Sequence, residues 1–478
     1  MNACCVVPGG GSEPRAYDLA VIGAGSAGFS AAITAANEGA RVVLIGHGRI
    51  GGTCVNFGCV PSKTLLRAAE AVHAAQSVAR FPGLAGTARL TDWSTLMGAK
   101  DELVATLRRE KYADPLSSYE TIDYIDGPAR LADGGLTIGG APLLAGKFVI
   151  ATGAAPALPD IPGISDVPIL TSTSALELPE RPESLLVVGG GYIGCELAQL
   201  FARLGSKVTL VTRGRLLPET EPELSAALTG YLRDEGISVW TGLGYRDIRQ
   251  TGEGVALSVD VEGRIENLAA GQVLVATGRT PNTDGLGLVE HGVALDERGA
   301  IIVDDHMRTS RFGVYAAGDV TNRDAFVYMA AHGAKVAARN ALNGDGATYD
   351  NRAMPWVVFT DPQVVGVGLT EAIARATDHE VKTSIVNLDQ VPRALAARDT
   401  RGLIKLVADA RTDVLLGGQI LAPEGADAIQ SLALAIRHGM TAAALAETIF
   451  PYLTTVEGLK LAALGFHTNV ARLSCCAG

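Results

Sequence analysis

Apolar and polar positions fall into recurring blocks along the chain. Tyr17–Ile22 is a short, largely apolar run that stops at Gly23-Ala24-Gly25-Ser26-Ala27-Gly28. An Ala-rich stretch of helical composition follows, and then a second apolar run from Arg41 to Ile45. A buried parallel strand reads as a continuous apolar run bounded by turn residues, so this segment predicts strand, turn, helix and strand. The same order returns at Ser184–Val188, Gly189-Gly190-Gly191-Tyr192-Ile193-Gly194, a helix to about Leu204 and a strand over Lys207–Val211. Two shorter echoes, 148–153 and 273–278, are apolar runs closing on Ala-Thr-Gly, and they bracket the second unit as if it were inserted into the first. Beyond about residue 345 the pattern changes. Strand-like runs lie at Trp356–Thr360, Gly402–Ala408 and Leu415–Ala422, and helical stretches at Ala426–His438 and Thr441–Ile449.

The expected fold is α/β: two Rossmann-like dinucleotide-binding domains and a C-terminal α+β domain. One nucleotide domain spans 17–152 and 273–345, the second is inserted over 153–272, and the third covers 346–478. Residues 1–16 carry Gly, Ser and Pro without periodicity and are expected to form a flexible tail. The length of 478 residues agrees with about three domains of roughly 150.

Charge and composition narrow the function. Forty basic against 51 acidic residues leave a net charge of −11. No basic block offsets it, which disfavours nucleic acid as a partner. The longest uncharged stretch, Leu19 to Asn37, is punctuated by Gly23, Gly25 and Gly28, so a strand-to-helix turn explains it better than a membrane span. Residues 1–16 hold no apolar signal core. The seven cysteines are odd in number and include two adjacent pairs, unlike a secreted disulfide framework. A cytoplasmic protein without membrane insertion is expected.

Each GxGxxG turn has a mechanical meaning. Glycines let the backbone approach a pyrophosphate at a helix N-terminus, where unpaired N–H groups point outward. Gly23, Gly25 and Gly28 form the first such turn, and Gly189, Gly191 and Gly194 the second. After the first unit's second strand, the position that ordinarily offers a ribose-binding carboxylate is Gly46, followed by His47. In the second unit the matching position is Thr212, flanked by Arg213 and Arg215. Two guanidiniums suit a 2′-phosphate and favour NADPH over NADH; two solvated surface arginines are the plain alternative.

The stretch 51–63, GGTCVNFGCVPSK, carries the chemistry. In a regular helix Cys54 and Cys59 would stand about 7.5 Å apart along the axis. A disulfide needs Cα atoms within about 7 Å, so the segment is expected to bend, helped by Gly58 and Pro61. Beside a nucleotide turn that supplies electrons, an accessible pair of this kind is expected to be redox-active. The stretch resembles the signature of the flavin-dependent pyridine nucleotide disulfide oxidoreductases, which include glutathione reductase and dihydrolipoamide dehydrogenase. The resemblance covers 17–478 and includes Gly318-Asp319 in YAAGDVTN. It implies FAD in the first nucleotide fold, NAD(P)H in the second, and a homodimer built through the C-terminal domain. It further implies that Cys59 lies against the flavin, that Cys54 is the interchange thiol, and that Asp319 holds the ribityl chain. Lys63 and Glu196 match the family's ion pair near flavin N5, with a surface helix acid as the plain alternative for Glu196. Tyr192 matches the gate over the nicotinamide pocket, and Ala27, Gly48, Thr53, Ala129 and Val327 match flavin-contacting positions.

The substrate is read near the C-terminus. Disulfide-reducing relatives carry a histidine acid/base five residues before a glutamate; counting back from Glu457 gives Tyr452 here. A phenol of reference pKa near 10 is a poor base at neutral pH, which disfavours an organic disulfide. The chain ends Leu473-Ser474-Cys475-Cys476-Ala477-Gly478. Adjacent Cα atoms are 3.8 Å apart, too close for ordinary disulfide geometry, so Cys475 and Cys476 are expected to remain two thiols suited to a soft cation. Tyr452, the terminal thiols, and the stretches VPRALA (391–396) and FPYLTTVEGLKLAA (450–463) resemble the mercuric-ion-reducing branch of the family. That branch implies reduction of Hg(II) to Hg(0) by NADPH. Cys475 and Cys476 would take the metal from small thiols or a mercury carrier and pass it to Cys54 and Cys59, across a shared dimer active site. The alternatives are a dihydrolipoamide dehydrogenase-like disulfide reductase and a non-catalytic, thiol-based metal-sequestering protein. Cys4 and Cys5 read either as an auxiliary metal pickup or as a passive remnant, and Cys195 as a small packed residue.

Overall fold

The computed structural model describes residues 17–133 and 135–470. Both adjacent cysteine pairs, Cys4-Cys5 and Cys475-Cys476, lie outside the described residues, as does the tail 1–16. The described residues fall into two compact units, the first made of 17–56, 103–155 and 280–349, the second of 57–102, 156–279 and 350–470.

The first unit is organised on a five-stranded parallel sheet. Strand β1 (Tyr17–Ile22) leads into helix α1 (Ser26–Asn37), then strand β2 (Val42–Gly46) and the short helix α2 (Gly52–Asn56). Strand β3 (Ile122–Asp126) pairs with β2 at one edge, and Ala145–Ile150 pairs with β1 on the other side, followed by Val314–Ala316. The central strands are buried on both faces: Leu19, Ala20, Val21, Val42, Val43 and Leu44 have no exposed surface. That burial is why they read as unbroken apolar runs and not as alternation. Val327–Asn343 packs along α1.

The second unit carries a matching parallel sheet in the order Ser238–Trp240, Lys207–Val211, Ser184–Val188, Gln272–Val275, Ile169–Leu170. Helix α3 (Cys59–Gln76) packs against the helix Tyr192–Arg203. The unit also holds a three-stranded antiparallel sheet over 244–270 and an antiparallel five-stranded sheet in the order Pro355–Val358, Gln363–Gly368, Leu415–Ala422, Leu403–Asp409, Val381–Asn387. Gly425–Arg437 covers the five-stranded sheet. Thr441 caps the helix Ala442–Glu447 by accepting the Ala444 N–H through its hydroxyl.

Two boundaries move from their expected places. The Val273–Val275 run does not return to the first nucleotide fold. It pairs with Ser184–Val188, Val273 opposite Leu186, as a central strand of the second sheet. The buried backbone of this run needs hydrogen-bond partners along both edges, and Ser184–Val188 and Ile169–Leu170 supply them. The second sheet therefore extends past the expected limit of 272. Residues 57–102, expected in the first domain, group with the second unit, where Leu65, Leu66, Ala69, Trp93 and Met97 join the core around Phe201.

Candidate active site

The two glycine turns are built alike. In the first unit Gly23 has φ +116°, and a Cβ there would stand 2.3 Å from the Ala151 carbonyl oxygen. A Cβ on Gly28 would stand 1.7 Å from Gly23 O, so only hydrogen fits where α1 leaves the sheet. In the second unit Gly189 has φ +119°, with 2.3 Å from a built Cβ to Ala276 O, and Gly194 would meet Gly189 O at 1.9 Å. Gly25 and Gly191 precede the two helices in extended conformation, and neither helix start is capped by a side chain. Each cradle thus presents open N-terminal amides at a tight glycine turn.

Beside the first cradle lies the outer part of the dithiol motif. Gly51 N–H donates to Ala24 O at 2.9 Å, and a Cβ on Gly52 would stand only 2.6 Å from the Gly25 Cα. Backbone therefore packs on backbone and fixes α2, with Thr53 exposed and Cys54 half-buried, against the phosphate turn. Three side chains that the motif alone does not reveal hold this arrangement. The Asn56 amide donates to Ile50 O and Gly52 O, both at 2.9 Å, and its oxygen accepts from Arg108 at 3.1 Å. Tyr112 lies edge-on to Phe29, with its hydroxyl 3.2 Å from Ser26 Oγ. Elsewhere in the first unit Ala27 and Ala129 are buried, Gly48 is exposed at φ +93°, and Val327 opens its helix. Gly318, at φ +79°, would press a Cβ to 3.1 Å from Ala27 and 3.3 Å from Ala330, and it sets the half-buried Asp319 at the start of a short helical turn.

The expected bend is a break in the helix: Phe57 and Gly58 separate α2 from α3, with Gly58 at φ −124°, ψ −107°. Pro61 then sits in the first turn of α3, where its missing N–H costs nothing. Cys54 falls in the first unit; Cys59, also half-buried, falls in the second and opens α3.

In the second unit the Lys63 ammonium donates to Glu196 Oε2 at 2.6 Å. Glu196 is only 5% exposed, and its other oxygen accepts the Phe359 N–H at 2.8 Å. Lys63 also stands 4.8 Å from the Phe359 ring centroid. Tyr192 stacks on Trp356 with centroids 5.7 Å apart, and burial, then the Glu219 charge, pushes its phenol well above the usual range. Trp356 lies on the strand Pro355–Val358 and Phe359 follows its end, more than 150 residues from Tyr192 and Glu196, so no local motif announces them.

The two arginines after Lys207–Val211 part company. Arg213 is exposed, with its guanidinium 5.9 Å from the Tyr245 ring centroid. Arg215 is half-buried and closes its own loop, donating to Pro218 O at 2.5 Å and Thr220 O at 2.7 Å. Tyr452 is 53% exposed in the loop before Glu457–Leu464. Cys195 is fully buried, with its thiol directed at Gly190 O. Among the described residues no cluster of His, Cys, Asp and Glu forms a metal site. No helix among them is long and apolar enough to cross a membrane.

Residues 17–338 match the family model "Pyridine nucleotide-disulphide oxidoreductase", and 354–463 match that family's dimerisation domain. The chain belongs to this family. Among its flavoprotein disulfide reductases of known structure, the HOCl-induced enzyme RclA from Escherichia coli superposes with a TM-score of 0.82 at 32% identity, covering 94% of this chain and 99% of that one. The mercuric reductase of Streptomyces lividans is 47% identical over 471 residues, 97% of this chain and 98% of its own. That of Staphylococcus aureus is 45% identical over 464 residues, covering 97% and 84%. FAD and a pyridine nucleotide are the cofactors of this oxidoreductase fold, and both cradles fit a dinucleotide: Gly25 and Gly191 keep the approach to each turn clear of side chains, and each turn ends in uncapped helix amides.

Proposed function

We propose that the chain is an NADPH-dependent, FAD-containing mercury(II) reductase that detoxifies mercury in the cytoplasm as a homodimer. The observation that carries this reading is the 47% identity to a mercuric reductase over nearly the whole of both chains. The dithiol motif and the half-exposed Tyr452, where disulfide-reducing relatives hold a histidine, support it. The net reaction is Hg(II) plus NADPH giving Hg(0), NADP⁺ and a proton.

In this reading the first unit's cradle, from Gly23 to Gly28, holds FAD with Asp319, Ala27, Ala129, Thr53, Gly48 and Val327. The second, from Gly189 to Gly194, holds NADPH with Arg213 on the 2′-phosphate. The C-terminal region contributes the dimer contact. FAD, when bound, supplies the two-electron relay between nicotinamide and metal. The chain's own residues handle the metal and the geometry. Hg(II) arrives from small thiols or a carrier protein as a thiolate complex, and Cys475 and Cys476 take it by ligand exchange. Cys54 and Cys59 displace them in turn, each attack requiring a thiolate. A soft cation handed between thiol pairs is never released into water. Lys63, anchored by the buried Glu196, holds a fixed positive charge, while Tyr192, backed by Trp356, closes the nicotinamide pocket. Tyr452 lines the path of the metal.

Purified protein supplied with HgCl₂ and excess small thiol should oxidise NADPH, followed at 340 nm. Replacing Cys475 and Cys476 with Ala should remove most of that turnover. Lipoamide or glutathione disulfide should support little oxidation. Rapid turnover of a disulfide, with none on Hg(II), would favour the dihydrolipoamide dehydrogenase-like reading. A colourless protein that binds Hg(II) without consuming NADPH would favour sequestration.

A further inference from the structure

Gly46 closes β2 where a dinucleotide fold ordinarily presents a carboxylate to the adenosine ribose, and glycine has nothing to present. Another residue takes that space. A Cβ built on Gly46 would lie 2.3 Å from Tyr124 Oη, 2.9 Å from Cζ and 3.0 Å from Cε2. Tyr124 stands on the edge strand β3, opposite Leu44, two residues before the register partner of Gly46, Asp126. Its phenol therefore reaches along β2 toward the C-terminal end, and its hydroxyl rests where the first side-chain atom of residue 46 would project. Parallel sheets of this kind bind their ligands at that end. The Gly127 N–H donates to Gly46 O at 2.8 Å and keeps the two strands paired there.

Tyr124 is 36% exposed. Burial, reinforced by the Asp126 charge, raises its pKa, so it keeps its proton at neutral pH. A protonated phenol both donates and accepts a hydrogen bond, whereas a carboxylate only accepts. A ribose diol, which itself does both, suits it. We propose that Tyr124, given room by Gly46, holds the adenosine ribose of FAD in place of a carboxylate at the end of β2. This rests on the reading that the first cradle binds FAD.

The test is FAD release from the full-length flavoprotein, diluted into a flavin trap and followed by the rise in flavin fluorescence. Tyr124→Phe keeps the ring against Gly46 and removes only the hydroxyl. It should release FAD roughly three- to tenfold faster, the range of one net hydrogen bond, with the thermal midpoint of the apoprotein unchanged. A rate within twofold of the parent's overturns the proposal, as does faster release matched by a lowered apoprotein midpoint. Gly25→Ala tests the underlying reading separately. Its Cβ meets only the Gly52 Cα, at an ordinary 3.5 Å, so the fold tolerates it while the methyl group obstructs the phosphate approach. Rapid release from Gly25→Ala with parental release from Tyr124→Phe sinks the tyrosine alone. Parental release from both sinks the assignment of FAD to this cradle.

Discussion

Glu196 shows how one residue is committed to the site from both sides. Its carboxylate is buried, so it needs compensation; Lys63 supplies charge and the Phe359 amide supplies a hydrogen bond. The pair is a fixed element and not a surface contact. Arg213 and Arg215 show the opposite case, two residues of one type with different tasks. Arg215 binds the carbonyls of its own loop, whereas Arg213 remains exposed beside Tyr245. Arg213→Ala should raise KM for NADPH about tenfold while leaving KM for NADH nearly unchanged, since a 2′-phosphate contact serves only the former. Arg215→Ala should lower the thermal midpoint without changing the preference between nucleotides. Steady-state kinetics with both nucleotides check this, and equal losses for the two in Arg213→Ala would count against the assignment.

At the scale of elements, a charge network joins strands and helices inside the second unit. Arg401 contacts Asp399 at 2.8 Å, Asp361 at 3.3 Å and Glu235 at 3.4 Å, and Arg203 binds Glu235 and Asp361 as well. Burial alone would raise the Asp399 carboxyl, but hydrogen bonds and charge from Arg401 outweigh it and hold the pKa below the usual range. A depressed folded-state pKa contributes stability above the unfolded value of about 3.9 and loses it as pH falls through the folded value. The urea midpoint should therefore fall as the pH drops below about 4, and Asp399→Asn should be less stable at pH 7 with a flatter acid limb. An unchanged acid slope in that variant would contradict the role. This network was not legible in the sequence, because its five members come from four separate segments. By contrast, Tyr17–Ile22, Ser184–Val188, Lys207–Val211 and Leu415–Ala422 appear in the structure with the bounds their apolar runs predict. Strands buried on both faces announce themselves without help from neighbours. Helix α3 does not, because its alanines and interspersed charges blur the apolar stripe. The site divides in the same way. The glycine turns and the dithiol motif are local and could be read, whereas Asn56, Tyr112, Tyr124, Trp356 and Phe359 matter through contacts that only folding creates.

For the whole molecule, each unit carries its own parallel sheet and its own glycine cradle, and the match to the family's dimerisation domain covers 354–463. On the proposed function, one cradle would run NADPH oxidation and the other would hold a flavin, while paired thiols would present the metal. What separates this function from disulfide reduction is the fate of the electrons. The most direct measurement is therefore the amount of elemental mercury vapour released per NADPH consumed, with Hg(II) given as its thiol complex. One Hg(0) for each NADPH is predicted, since both changes involve two electrons. NADPH consumption without mercury vapour would contradict mercury reduction as the function of this chain.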